Sequence, residues 1–419
     1  MLARGGPFWF GSIRFVELEN SEDRMQSFVL TDVKRDQWVE TFEKRSEMDQ
    51  SVAWSVSKQR LKGGRRDGVD LIKVDNGKFR FSVVPTRGMG LWSGQLGDER
   101  LGWNSPVKDG PVNPAFVNLM NWGGLGWLEG FDELMVRCGL ENNGAPYEEK
   151  VTNPDGSERH TTYGLHGKIA NIPASYVAVT LGEKSPGEIA VEGHVEESKL
   201  FAPQIQMKAR YSTEVGSNRL TVRDEFINLK DAPGEMQILY HWNFGAPYLE
   251  AGSRLVAPVK VMAPRDARAG EGLDHYETYG GPEPGFAEQC YFFDLLGVGD
   301  EGKTLTLLRN KEGDKGVALR FSTAQLPCFT LWKSTGGKDE GYVTGLEPAS
   351  NFPNPKPFEK SQGRVISLPP NGRYLAETTL EILEGRAAVS SVEAEIQKIQ
   401  GQGQPTIHRT ATLPYAPGS

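Results

Sequence analysis

Short segments of alternating polar and apolar residues, set apart by glycine, proline, asparagine or aspartate, recur along most of this chain. Period two puts every second side chain on one face of a strand, so each segment can bury one face and wet the other. Such segments cover residues 78–84, 175–181, 188–195, 204–211, 218–228, 236–241 and 254–262, with a second series at 303–309, 316–322, 328–333 and 373–383. Strands joined by turns rather than helices imply an all-β antiparallel sandwich and not βαβ units. The sequence shows no internal repeat of the length a propeller or solenoid needs.

Residues 69–385 contain no linker and are expected to form one sandwich domain, with 1–68 as an N-terminal extension packed on it and 386–419 as a C-terminal helix and arm. Val389, Val392, Ile396 and Ile399 fall on one face of a helix over 387–400. Trp38, Val39 and Phe42 have roughly helical spacing and predict a short amphipathic helix over 36–46. The basic run 58–67 is expected to be a solvated turn, with a phosphate cradle as the sharper alternative. A net charge of −8 argues against a nucleic-acid or anionic-membrane partner. No apolar run is long enough to span a bilayer, and residues 1–7 lack the pattern of a signal peptide. Three dispersed cysteines, Cys138, Cys290 and Cys328, outline neither a disulfide framework nor a zinc site, and a reducing cytoplasm is expected.

Three residues have the setting of a proton-transfer set, each expected at the end of a strand where a side chain can face a cleft. His241 lies in Tyr240-His241-Trp242-Asn243-Phe244-Gly245, His166 in Gly164-Leu165-His166-Gly167, and Glu347 in Gly345-Leu346-Glu347-Pro348. Both histidines have turn-forming residues after them and aromatic neighbours, the composition of a pocket wall. A glutamate between apolar residues has either a cationic partner or a raised pKa, and a raised pKa suits a base that takes and returns a hydroxyl proton.

Taken with Asn351-Phe352-Pro353, these motifs in this order resemble the aldose 1-epimerase, or galactose mutarotase, superfamily across about residues 70–385. Arg87-Gly88-Met89, Cys138-Gly139-Leu140 and Trp332-Lys333 look like an uncharacterised aldose 1-epimerase-like branch of it. The resemblance implies a β-supersandwich holding a sugar, with Glu347 taking the proton of the anomeric hydroxyl and His241 protonating the ring oxygen. His166 would bind or polarise the ring-oxygen side, Arg87 would match a sugar-binding arginine, and Asp266 an aspartate that holds sugar hydroxyls. No cofactor and no metal are implied. The expected partner is a small carbohydrate, and a homodimer is an open expectation. Sugar C–H faces stack on aromatic rings, for which Trp122, Trp127, Trp242 and Trp332 are candidates, about half of them expected in the core instead. Arg87, Asn118, Asn171, Asn243 and Lys333 could pair with hydroxyls.

Two other functions fit the same residues. One is an epimerase, isomerase or lyase acting on a keto-sugar or uronate, where two histidines and a carboxylate could also hold a divalent ion. The other is a non-catalytic carbohydrate-binding protein.

Overall fold

Strict alternation builds the strands. In Gln204–Glu214 the buried residues are Ile205, Met207, Ala209, Tyr211 and Thr213, every second side chain. A computed structural model describes residues 25–46, 52–152, 155–182, 187–200, 203–401 and 403–417. The reading of residues 1–7 lies outside them. Among the described residues the strands join, almost wholly antiparallel, into a ten-stranded sheet, a fourteen-stranded sheet and a separate hairpin of Tyr147–Thr152 with Glu158–Tyr163.

The two large sheets pack face to face. Val179, Val191, Met207 and Leu220 from the smaller sheet share one core with Val74, Phe81, Leu91, Met135 and Tyr240 from the larger. A buried ion pair crosses this core. Arg137 binds Asp224 through two bonds of 2.6 and 2.8 Å, and the Tyr240 hydroxyl donates to the same carboxylate at 2.7 Å. Full pairing is what makes a charge tolerable between two apolar sheets.

The middle of the larger sheet runs in the order Gln289–Leu295, Cys328–Thr335, Tyr342–Ala349, Gly234–Phe244, Met135–Leu140 and Gly90–Leu96. One face of these strands lies in the inter-sheet core. The other carries a second apolar cluster, in which Val136, Cys138, Leu239, Val343 and Ala349 meet Trp103, Trp127, Phe131 and Ala170 from covering loops. Covered on both faces, these strands lose the alternation that marked the others.

Three expectations need correction. Residues 36–46 are not helical but contain strands Gln37–Trp38 and Phe42–Arg45. Tertiary partners decide this: the Trp38 ring lies 4.0 Å from the Arg60 guanidinium, and Phe42 packs on Phe28. The strand holding His241 does not end there but continues to Phe244, and Glu347 is likewise inside its strand. The basic run is not a solvated turn throughout, since Lys58 and Arg60 lie in a strand paired to Asp70 and Arg65 donates to the Glu129 carbonyl. The C-terminal arm packs on the sandwich: Thr406–Ile407 pairs with Val259–Pro264, and Tyr415 and Ala416 are buried against Phe292 and Phe352. The helix Arg386–Gln400 packs Val389, Val392 and Ile396 on Leu305, Leu307 and Leu383. The described residues before 69 add strands to the edges of both sheets.

Candidate active site

His241 and Glu347 are cross-strand neighbours. The strand Gly234–Phe244 pairs with Tyr342–Ala349 in a register that sets Leu239 against Ala349 and Trp242 against Leu346, which puts His241 opposite Glu347. Side chains opposite one another on one sheet face are close enough to interact directly. Here Nε2 of His241 lies 3.1 Å from Oε1 of Glu347, and both side chains are at most 5% exposed. The next residue on that face, Gly345, leaves the space the pair occupies. A Cβ there would lie 2.5 Å from Glu347 Oε1 and 3.0 Å from His241 Cε1.

Burial sets the protonation of this pair. It pushes the Glu347 carboxyl well above the ordinary carboxylate range, helped by the negative Glu288 and opposed by Arg265. It also holds the His241 imidazole well below its usual value, with His166 adding to the effect and the bond to Asn243 opposing it. Both shifts favour the uncharged pair, a protonated Glu347 beside a neutral His241.

His166 arrives from a turn. Its φ of 57° lies in the left-handed region, which is costly for a side chain with a Cβ. Backbone bonds hold it there: its N–H donates to the Gly144 carbonyl, and its own carbonyl accepts from Gly139. Nδ1 of the ring bonds the Asn143 carbonyl at 2.8 Å, which makes Nδ1 the donor and leaves Nε2 an acceptor. Burial lowers this imidazole to about 4. Its ring stands edge-on to that of His241 with centroids 5.6 Å apart, and the Trp127 ring is 4.6 Å from it. Phe131 and Trp332 each bring a ring to 5.2 Å from His241. His166 and Trp332 are only partly buried.

The remaining candidates divide. Trp332 faces the site, and its indole donates to Glu288 at 2.6 Å. Asp266 caps the short helix Ala267–Glu271 and pairs with Arg265, which also holds Glu288 at 3.0 Å. Asn243 lies beneath His241 and bonds it at 2.6 Å. Arg87 is fully buried against Glu133 at 2.6 Å and Asn171 at 3.0 Å, while its Nη2 and the Asn171 Nδ2 have no hydrogen-bond partner in the protein. Trp242 points the other way, into the inter-sheet core. Lys333 also leaves from the opposite face to Trp332, and its ammonium donates to the carbonyls of His275, Tyr276 and Thr278. Of the other stacking candidates, Trp127 is buried beside the histidines and Trp122 is 80% exposed.

Phe131, Gly345, Arg265, Glu288 and Asn143 are site neighbours that sequence reasoning did not single out. Gly345 was visible inside its motif, and its role follows once Glu347 is assigned to that strand face. Glu288 carries no local signal, because only the pairing of Cys290 with Trp332 brings it to the indole. Among the described residues, no group of three or more His, Cys, Asp or Glu side chains is placed to hold a metal ion.

Residues 66–382 match a family described as a domain of unknown function, DUF4432. The fold is similar to a structure from Klebsiella pneumoniae provisionally named an aldose 1-epimerase, with 36% identity, a TM-score of 0.86, and coverage of 92% of this chain and 99% of that one. It is also similar to a galactose mutarotase-like protein from Clostridium acetobutylicum, at 15% identity and a TM-score of 0.52 over 82% of this chain and 99% of that one. A Synechocystis protein shares the fold at 13% identity and a TM-score of 0.51, covering 74% of this chain and 94% of its own. No curated protein matches the sequence.

Proposed function

Because the chain belongs to the DUF4432 family within the galactose mutarotase-like superfamily, we propose that it is an aldose 1-epimerase-type enzyme that interconverts the anomers of a sugar. The observation that carries this is the His241–Glu347 pair, 3.1 Å apart on a face walled by Trp127, Phe131 and Trp332. A hemiacetal carbon bears two oxygens, the hydroxyl O1 and the ring O5, and a mutarotase must take a proton from one while giving a proton to the other.

The pair holds the single proton this exchange needs. As O1–H loses its proton to one member, the other delivers its proton to O5. The C1–O5 bond breaks, C1=O1 forms, and the count of protons on the pair is unchanged. Rotation about C1–C2 and reversal of the same transfers close the other anomer. Glu347 as base and His241 as acid, the roles the resemblance implies, arise when the proton crosses from Glu347 to Nε2 before ring opening. His166, neutral and with Nε2 free to accept, would take a hydrogen bond from a sugar hydroxyl. The aromatic walls would stack on C–H faces.

The test follows anomer exchange of freshly dissolved aldoses by polarimetry or exchange NMR. His241→Ala and Glu347→Gln should each slow turnover by at least ~100-fold, the usual contribution of a general acid or base. Full activity in both variants would remove these roles. Tight sugar binding without any exchange in the wild type would instead make the protein a carbohydrate-binding one.

A further inference from the structure

The position of Asn243 follows from where its amide must point. Its Nδ2 donates to two backbone carbonyls, those of Glu133 and His241, both at 3.0 Å. Turning the amide over would set its oxygen against both carbonyl oxygens, so Oδ1 has to face Nδ1 of His241, 2.6 Å away. A carbonyl oxygen only accepts, and Nδ1 must therefore carry a hydrogen. The second nitrogen, Nε2, is the one that faces Glu347.

The amide is itself fixed from behind. Asn243 is fully buried, and its backbone N–H donates to the Leu134 carbonyl at 2.7 Å. Glu133, whose carbonyl receives the Asn243 amide, is clamped by Arg87 and accepts the Asp132 N–H on its other carboxylate oxygen. This line of bonds ends on one nitrogen of one imidazole.

We propose that Asn243 is a positioning residue that locks His241 in the Nδ1–H tautomer, so that its Nε2 lone pair, and no other group, exchanges protons with Glu347 and the substrate. Residue 243 then acts through His241 and not by binding sugar hydroxyls. The inference rests on the acid–base role given above to His241, but the tautomer can be observed without any substrate. A ring with the hydrogen on Nε2 would present a donor to a protonated Glu347, leave the lone pair facing an amide, and stall the exchange.

Nitrogen-15 NMR of the full chain labelled at histidine tests the first part, with the His241 signals assigned by their loss in His241→Gln. The expected spectrum at pH 7 has Nδ1 in the protonated range and Nε2 in the unprotonated range. The reverse pattern overturns the proposal, and so does rapid averaging between the two. The second part uses Asn243→Asp, which keeps the acceptor and adds a negative charge at Nδ1–H. The acidic limb of the kcat/KM profile for anomer exchange should move up by at least one pH unit, with KM changed less than threefold. An unmoved limb, or a rise in KM alone, would return residue 243 to sugar binding. If the variant does not fold, the wild-type spectrum still decides. If no aldose is turned over while the spectrum is as expected, the proposed function fails and the tautomer assignment stands.

Discussion

At the scale of single residues, the site depends on what is small as much as on what is charged. Gly345 leaves open the space beside Glu347, Trp332 and His241, and an added Cβ would meet Oε1 at 2.5 Å and Cε3 of Trp332 at 3.2 Å. Gly345→Ala should therefore cut turnover by at least ~10-fold, as a misplaced reacting group does, because the carboxylate is the easiest neighbour to displace. The same variant should unfold within a few degrees of the wild type by scanning calorimetry. Loss of activity only in proportion to loss of fold would show that the space does not matter. His166 makes a separate prediction about pH. Burial lowers its imidazole to about 4 in the folded protein, against an ordinary value of 6.5. Between those values the unfolded chain binds a proton that the folded chain does not, so stability falls as the pH is lowered through that window. One such group contributes a slope of up to about 1.4 kcal/mol per pH unit. Denaturant midpoints taken from pH 7 to 4.5 should decline less steeply in His166→Asn than in the wild type, and parallel curves would place the histidine in water.

At the scale of elements, the strand Met135–Leu140 shows how one segment serves two faces. Val136 and Cys138 belong to the cluster around the site, while Arg137 between them crosses the core to Asp224 in the opposite sheet. Removing one partner of a buried ion pair leaves the other charge unpaired in an apolar medium, at a cost of about 3–5 kcal/mol. Arg137→Leu should lower the unfolding free energy by that amount in urea titrations, and Arg137→Leu with Asp224→Leu should recover part of it. A single variant as stable as the wild type would mean water reaches Asp224. This strand also explains what the sequence could and could not disclose. Strands of the smaller sheet such as Gln204–Glu214 alternate strictly, and residues 204–211 are legible from that pattern alone. Met135–Leu140, Gln289–Leu295 and Tyr342–Ala349 are covered on both sides and have no polar face to alternate with. Glu347 and His241 were legible as residue types out of place among apolar neighbours. Their contact was not, because it is a matter of register between strands a hundred residues apart. The same holds for Lys333 and Trp242, each adjacent in sequence to a site residue and, by the alternation of a strand, turned to its other face.

At the scale of the whole molecule, the end of the chain is tied to the site through a line of amides. The Tyr415 carbonyl accepts from Asn354 at 2.8 Å, and the Tyr415 ring packs on Phe352. The adjacent Asn351 exchanges two side-chain bonds with Asn143, at 2.9 and 3.0 Å. Asn143 in turn offers its carbonyl to the ring of His166. Cutting the chain after Gln400 would strip Tyr415 from Phe352 and Asn354, and loss of one large buried ring alone costs about 3 kcal/mol. The shortened protein should unfold several degrees earlier and lose kcat/KM for anomer exchange by at least ~5-fold, because the loop that aims His166 has lost its backing. Residues that act through one group do not add when both are altered. The truncation should therefore cost little further activity when made in His166→Asn, even though its effect on the unfolding temperature persists there. Equal losses of activity in both backgrounds would mean that the arm stabilises the sandwich without holding His166, and that the amide line carries no influence to the site.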